Sequence, residues 1–118
     1  MKFLLIVLII LISTQNIKAE VNQLFIKNCA TCPSVQKGDK TLRAGPNLWG
    51  VVGRKAAAES SYTMYSEAIK KSGIVWNEEN LNKWLTNAGA FIPGTNMYYM
   101  QADESVRLTI IDYLKTLK

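Results

Sequence analysis

Apolar residues in this chain form one unbroken run near the start and helical repeats further along. The run is FLLIVLIILI, residues 3–12; it follows Lys2 and precedes polar STQN and the small residue Ala19. A basic start, an apolar middle and a small residue at the end are typical of a secretory signal peptide. The run is also far shorter than the ~20 residues that a membrane-spanning helix needs. We therefore expect a signal peptide at residues 1–19, a mature domain at 20–118 and export to the periplasm. The alternative is an uncleaved membrane anchor through residues 3–12.

The first helical repeat contains both cysteines of the chain. Its predicted inward face comprises Val21, Leu24, Phe25, Asn28, Cys29 and Cys32. Positions three and four residues apart share a face of a helix, so both thiols are expected to point inward with the apolar side chains. Pro33 ends this helix, because the residue before a proline is kept out of the α-helical region.

Two more main helices are predicted in the second half of the chain. One covers residues 78–87, with Asn77 as its N-cap and two glutamates at the positive end of its dipole. The other runs from Glu104 to the C-terminus, with Asp103 as its cap. Their predicted buried faces are Leu81, Trp84 and Leu85 in the former, and Val106, Ile110, Tyr113, Leu114 and Leu117 in the latter. Because strand-like alternation is nearly absent, the domain is predicted to be all-α, with three main helices.

Two long segments lack helical periodicity. Residues 33–65 are rich in Gly, Ala, Ser and Lys, and residues 88–102 contain FIPGTNMYYM. A short helix over residues 66–71, ended by Gly73, is predicted between them. Loops longer than about 12–15 residues are uncommon in a compact domain unless something orders them. A small domain with so little regular structure is also short of core. We therefore expect the loops to wrap around a large apolar ligand.

Composition excludes several function classes. Without Lys2 and Lys18 the 14 basic residues become 12, against nine acidic ones, a net charge of +3. The basic residues are scattered and form no stripe, so no nucleic-acid partner is expected. The chain has no histidine and therefore no Ser/His or Cys/His pair, so an enzyme is not expected. A zinc site needs four ligands, which two cysteines without histidine cannot supply.

The two cysteines leave different kinds of chemistry open. They lie in CATC as Cys29 and Cys32, a spacing that serves c-type haem attachment, a metal or a disulfide. The haem motif is C-x-x-C-H, and Pro33 occupies its histidine position. Export favours a disulfide, and the spacing on a helix permits one. A periplasmic thiol–disulfide protein using these cysteines is one alternative, although redox pairs usually begin a helix in a βαβ setting rather than end one.

Five motifs follow one another in a specific order. LFIKNCATC is followed by AGPNLWGVVGR, YSEAIKKSGIVW, FIPGTNM and a closing IIDYLK. This order and spacing resembles the small class I c-type cytochromes of the mitochondrial and alphaproteobacterial type, over essentially the whole mature chain. The resemblance implies a cytochrome c fold whose long loops wrap around one covalently attached haem c. It also implies a monomeric one-electron carrier of a respiratory chain, with partners of the cytochrome oxidase or bc1 type.

The same resemblance assigns roles to individual residues. Cys29 and Cys32 would form thioether bonds to the haem, and Met97 would be an axial iron ligand. Pro46 would orient the axial histidine through its backbone carbonyl. Three further residues match positions that contact the haem propionates: Arg54, Tyr65 and Trp76.

The chain departs from the family pattern at three positions. Pro33 stands where the axial histidine belongs, and a proline has neither a lone pair to give iron nor a backbone N–H. Val21 replaces a glycine where the first and last helices cross, beside the expected contact of Phe25 with Tyr113. Trp84 replaces a tyrosine that packs near the methionine ligand. The first departure removes an iron ligand, whereas the other two are variations within the fold.

Loss of the histidine leaves Met97 as the remaining member of the family's ligand pair. The iron would be five-coordinate or would recruit water, a lysine, Met64 or Met100. Haem attachment is expected to be poor, since the attachment machinery of the relatives reads the histidine. Pro33 is either a genuine divergence or a local variant, because His and Pro codons can differ by one base. A haem-free degenerate cytochrome is therefore a further alternative.

Overall fold

The structure is a computed structural model that describes residues 34–41 and 43–118. Its four helices are α1 (Glu67–Ser72), α2 (Glu78–Thr86), α3 (Ala88–Phe91) and α4 (Glu104–Lys115). Within these residues there are two isolated β-bridges and no strand, so the all-α prediction is confirmed. No helix in this part of the chain has the length and apolar character to cross a membrane. Several predictions concern residues outside the described ones. They are the signal peptide and its anchor alternative, the first predicted helix, and the positions of Phe25 and both cysteines.

Local hydrogen bonds explain where α2 and α4 begin. The Asn77 side chain accepts from the Asn80 N–H at 2.8 Å, and the Asp103 side chain accepts from the Ser105 N–H at 2.9 Å. Such caps satisfy backbone donors that have no partner inside the helix. The predicted starts of both helices are confirmed.

The short helix α1 is confirmed with a shift of one residue. Ser66 Oγ accepts from the Ile69 N–H at 3.2 Å and so caps the helix. Gly73 follows the helix with φ of +66°, in the left-handed conformation that commonly ends a helix. Glycine suits this position because a side chain would be strained there.

The sequence pattern does not predict α3, which lies inside the segment expected to be a loop. Asn87 both ends α2 and begins α3. Its N–H donates to the Lys83 carbonyl at 3.2 Å, and its side chain accepts from the Ala90 N–H at 3.1 Å. A four-residue helix is too short to show a hydrophobic period. The expectation of an uninterrupted loop over residues 88–102 is therefore wrong.

The core of the described part lies where α2 contacts α4 and α3. The buried side chains of α2 are the three predicted ones: Leu81, Trp84 and Leu85. Helix α4 buries Ile110, Ile111 and Leu114, and Leu117 beyond its end is also buried. Ile111 adds to the predicted face, while Val106 and Tyr113 are half-buried. Each such apolar side chain contributes about 1.5–3 kcal/mol when fully buried, which ties the C-terminal helix to α2.

Candidate functional site

Two short segments of the chain bring Arg54 and Trp76 together. The Trp76 N–H donates to the Arg54 carbonyl at 2.8 Å, and the Gly53 N–H donates to the Trp76 carbonyl, also at 2.8 Å. An antiparallel bridge between Lys55 and Val75 continues this pairing. Two residues that the resemblance assigns to the propionates are thus neighbours in space.

The guanidinium of Arg54 is held by the loop that contains Pro46. Its Nη2 donates to the Asn47 carbonyl at 2.7 Å, and its Nη1 donates to the Trp49 carbonyl at 3.4 Å. Nη1 also lies 3.7 Å from Glu59 Oε2. A guanidinium carries more N–H donors than these contacts use, so it can bind a further anionic oxygen.

Tyr65 is linked to Arg54 through Glu59. Its hydroxyl oxygen accepts from the Glu59 N–H at 3.3 Å. Its ring meets that of Tyr62 edge to face, with ring centroids 4.7 Å apart. Burial raises the pKa of the Tyr65 hydroxyl. The hydroxyl therefore remains protonated near neutral pH and keeps a hydrogen to donate.

Trp76 connects this region to the helical core. It is buried, and its ring meets that of Trp84 on α2 edge to face, with centroids 5.3 Å apart. Aromatic pairs of this kind contribute about 0.5–1.5 kcal/mol beyond the area they bury. Trp84 thus stabilises the position of the segment that carries Trp76. We call Arg54, Tyr65 and Trp76 together the Arg54 group.

Pro46 is half-buried in a loop that Asn47 organises. Asn47 Nδ2 donates to the Gln36 carbonyl at 2.8 Å. The Leu48 N–H donates to the Ser34 carbonyl at 2.8 Å. Residue 34, which follows position 33 in the sequence, is therefore held beside the loop of Pro46.

Met97 lies in a segment whose side chains alternate between inside and outside. Thr95 is buried and Met97 is half-buried, whereas Asn96, Tyr98 and Met100 are exposed. Alternation of this kind is typical of extended backbone. The Met97 side chain is therefore on the inner side of the segment together with Thr95.

Thr95 has an unpaired hydroxyl in the interior. The residue is 6% exposed, and Oγ1 has no hydrogen-bond partner among the residues that the structure describes. A buried hydroxyl without a partner costs about 1–3 kcal/mol. The inner side of the Met97 segment is thus a place where a polar acceptor would be stabilising.

The Met97 segment packs against α1. A Cβ built on Gly94 would lie 3.4 Å from the Cβ of Ala68, and Gly94 has φ of +91°. Glycine permits both this conformation and the close approach to the helix. Since α1 begins shortly after Tyr65, the contact joins the segment of Met97 to the part of the chain that holds the Arg54 group.

The structure connects most of the predicted site residues and shows further residues that contribute to the candidate site. Arg54, Tyr65 and Trp76 form one bonded group, with the Pro46 loop attached to it through the Asn47 carbonyl. Cys29 and Cys32 lie outside the described residues. The residues of the site that the sequence did not predict are Asn47, Glu59 and Thr95.

Two of the added residues lie in short motifs that were visible in the sequence. Asn47 belongs to GPN and Thr95 to PGT. Polar side chains at such turns commonly bond nearby backbone, as Asn47 Oδ1 does with the Trp49 N–H at 3.0 Å, whereas the Thr95 hydroxyl does not. Glu59 carries no such signal. It comes near Arg54 because of a turn through Ala57, whose φ of +62° is not foreseeable for an alanine.

Comparison with known proteins shows similarity along most of the chain. Cytochrome c of Theileria parva is 44% identical over 94 residues, which is 79% of each chain. Cytochrome c2 of Rhodopila globiformis is 44% identical over 100 residues, 84% of this chain and 92% of the relative. The solved structure of cytochrome cH from Methylobacterium extorquens matches with a TM-score of 0.71 at 35% identity, covering 83% of this chain and 96% of that chain.

The chain belongs to the class I c-type cytochromes. No protein-family model matches the sequence of this cytochrome. Its predicted cytochrome c fold is confirmed by the structural match. Members of the family are electron carriers.

The described residues of this cytochrome fit a haem in all but one respect. The Arg54 group offers N–H and O–H donors to propionates, Thr95 has a hydroxyl that needs an acceptor, and Met97 offers a thioether on the inner side. The exception is the axial ligand set, since the sequence contains no histidine. Met64 and Met100 are 49% and 68% exposed, so neither is turned inward as Met97 is.

Proposed function

We propose that this cytochrome is a one-electron carrier that uses one covalently attached haem c. The observation that carries the proposal is the inner side of the Met97 segment, where half-buried Met97 is joined by buried Thr95 with its unpaired hydroxyl. A haem supplies the chemistry that the polypeptide lacks, because its iron gains and loses a single electron. Family membership supports the same function.

The residues of the chain would bind and orient the group. Cys29 and Cys32 are proposed to tether it through thioether bonds. Met97 is proposed to bind the iron, which would favour the reduced form because a thioether is a soft, neutral donor. The Arg54 group is proposed to bind the propionates, whose charge the guanidinium offsets.

The missing histidine is the feature of this proposal that needs explanation. Pro33 cannot supply a nitrogen ligand, and Met97 is the inward methionine of the described loops. The backbone beside position 33 is nevertheless ordered, since the Ser34 carbonyl is fixed by the Leu48 N–H at 2.8 Å. Pro46 lies two residues from Leu48, and its carbonyl is proposed to orient an imidazole at position 33.

We predict that Pro33→His restores efficient haem attachment. The unaltered protein and the variant are produced together with haem-attachment machinery, and their visible spectra are recorded. The unaltered protein should contain several-fold less haem and should lack a six-coordinate low-spin spectrum, because Met97 alone cannot complete the coordination of iron. The variant should show the full Soret intensity with low-spin shape.

Gln36→His is the matched control for this prediction. It places an imidazole in the same loop, at an exposed side chain, and should leave haem content at the level of the unaltered protein. A full low-spin spectrum in the unaltered protein would mean that another residue supplies the ligand. Absence of haem from Pro33→His would overturn the carrier function and favour thiol–disulfide chemistry at Cys29 and Cys32.

We also propose that the cytochrome is exported to the periplasm as residues 20–118 and acts there as a monomer. The signal-like run at residues 3–12 supports export. Redox partners of the cytochrome oxidase or bc1 type are proposed from the family resemblance. The net charge of +3 on the mature chain favours partners with an acidic surface, since opposite charges speed encounter.

A further inference from the structure

Glu59 is a fixed carboxylate close to Arg54. Its Oε1 accepts from Ser61 Oγ at 2.7 Å and from the Ser61 N–H at 3.2 Å. Its Oε2 lies 3.7 Å from Arg54 Nη1, and the two side chains are 26% and 17% exposed. The carboxylate is therefore held on one side by Ser61 while its other oxygen faces the guanidinium.

The backbone around Glu59 also fixes its position. Ala57 adopts φ of +62°, and the Ala58 N–H donates to the Lys55 carbonyl at 3.2 Å, which closes a turn between Arg54 and Glu59. A left-handed alanine costs of the order of 1 kcal/mol and persists where the surrounding structure enforces it. The Glu59 N–H is bonded to the Tyr65 hydroxyl at 3.3 Å.

The charge of Glu59 is maintained at neutral pH. Hydrogen bonds from the Ser61 hydroxyl and N–H lower the pKa of the Glu59 carboxyl, and the positive charges of Arg54 and Lys40 act in the same direction. A negative charge thus lies beside the guanidinium that is proposed to bind the propionates.

We propose that Glu59 is a positioning residue for Arg54 that lowers the reduction potential of the haem. This inference rests on the proposed function. Glu59 holds the guanidinium between two carboxylates, its own and a propionate, so that only part of the positive charge acts on the haem. A negative charge near the iron stabilises its oxidised form relative to its reduced form, and both effects lower the potential.

The test is the midpoint potential of Glu59→Gln compared with that of the unaltered protein. Glutamine keeps an oxygen that can accept from Ser61 and removes the charge. Glu79→Gln is the control, because it removes the same charge from an exposed glutamate that pairs with Lys83 at 3.1 Å. The midpoint potential of each variant is measured by spectroscopic titration, in the unaltered background and in Pro33→His. Each titration is done at about 0.01 M and at about 1 M salt, because the screening length falls from roughly 30 to 3 Å between these concentrations.

Glu59→Gln should raise the midpoint potential at both salt concentrations, because its carboxylate is partly shielded from solvent. Glu79→Gln should shift it less, and that shift should vanish at high salt. A potential in Glu59→Gln no higher than that of the control would overturn the inference and leave the carrier function intact. Absence of haem in both backgrounds would overturn the carrier function and this inference together.

Discussion

At the scale of single residues, the side chains of the described part of the site are held by the polypeptide and keep donors for a further partner. Arg54 is held by the Asn47 carbonyl and Glu59, and Tyr65 is held by the Glu59 N–H. Thr95 differs, since its buried hydroxyl has no partner among the described residues. An acceptor on the proposed haem would explain why a hydroxyl is present at this position.

Thr95→Val should therefore change stability in opposite directions with and without haem. In haem-free protein the variant should be as stable as the unaltered protein or more stable, by up to about 1–2 kcal/mol, because an unpaired hydroxyl is replaced by a methyl group. In haem-loaded Pro33→His protein it should be destabilising by about 1 kcal/mol, because the hydrogen bond proposed between Thr95 and the haem is lost. Denaturant unfolding of both forms measures the difference.

Ser105→Ala, at an exposed cap, gives a baseline for losing a hydroxyl away from the site. Its effect should have the same sign in both forms. If Thr95→Val also behaves alike in both forms, the haem supplies no acceptor to Thr95, and its hydroxyl would not support the haem assignment.

At the scale of elements, the segment that carries Met97 is fastened at its far end to α2. The Gln101 N–H donates to the Leu85 carbonyl at 2.9 Å. Arg107 of α4 adds three bonds: Nε donates to Asn82 Oδ1 at 2.7 Å, and Nη1 to the carbonyls of Gln101 and Ala102 at 2.9 and 3.0 Å. One guanidinium thus joins α4, α2 and the end of the Met97 segment.

Arg107→Lys should loosen that segment, because lysine keeps the charge but loses the planar set of donors. We expect the free energy of unfolding to fall by about 2 kcal/mol, as is usual for hydrogen bonds to charged groups. In haem-loaded Pro33→His protein, added imidazole should displace Met97 at a lower concentration. Denaturant unfolding and a visible-spectrum titration with imidazole are the measurements.

Arg43→Lys serves as the comparison, because Arg43 is an exposed arginine that pairs with Asp39 at 3.4 Å. Exposed pairs contribute at most about 1 kcal/mol. Equal behaviour of the two variants would show that Arg107 does not hold the Met97 segment.

At the scale of the whole molecule, the proposed division of the chain into a cleaved signal peptide and an exported cytochrome domain can be tested directly. In a host that exports the protein, mass spectrometry should find a mature chain that begins near residue 20, because residues 3–12 are too few to anchor it in a bilayer. The protein should be in the periplasmic fraction. Recovery of full-length chain in the membrane fraction would show an anchored cytochrome instead.

The sequence by itself determined where α1, α2 and α4 begin and the family to which the chain belongs. Ser66, Asn77 and Asp103 cap α1, α2 and α4 through bonds to residues two or three positions away, so the starts of these helices can be predicted from neighbouring residues. The apolar spacing likewise predicted the buried face of α2. The order of the motifs indicated the cytochrome c fold, because the residues that contact a cofactor recur at characteristic positions along the chain.

Only the tertiary structure decided which polar groups meet. Glu59 reaches Arg54 because Ala57 takes a left-handed conformation, and Arg107 reaches Asn82 across two helices. Hydrophobic periodicity reports which face of an element is buried, but a contact between distant residues depends on backbone angles and helix packing that no local pattern specifies. The same reason explains why the sequence predicts three of the four described helices but not α3. One asparagine at the end of α2 creates the α3 turn.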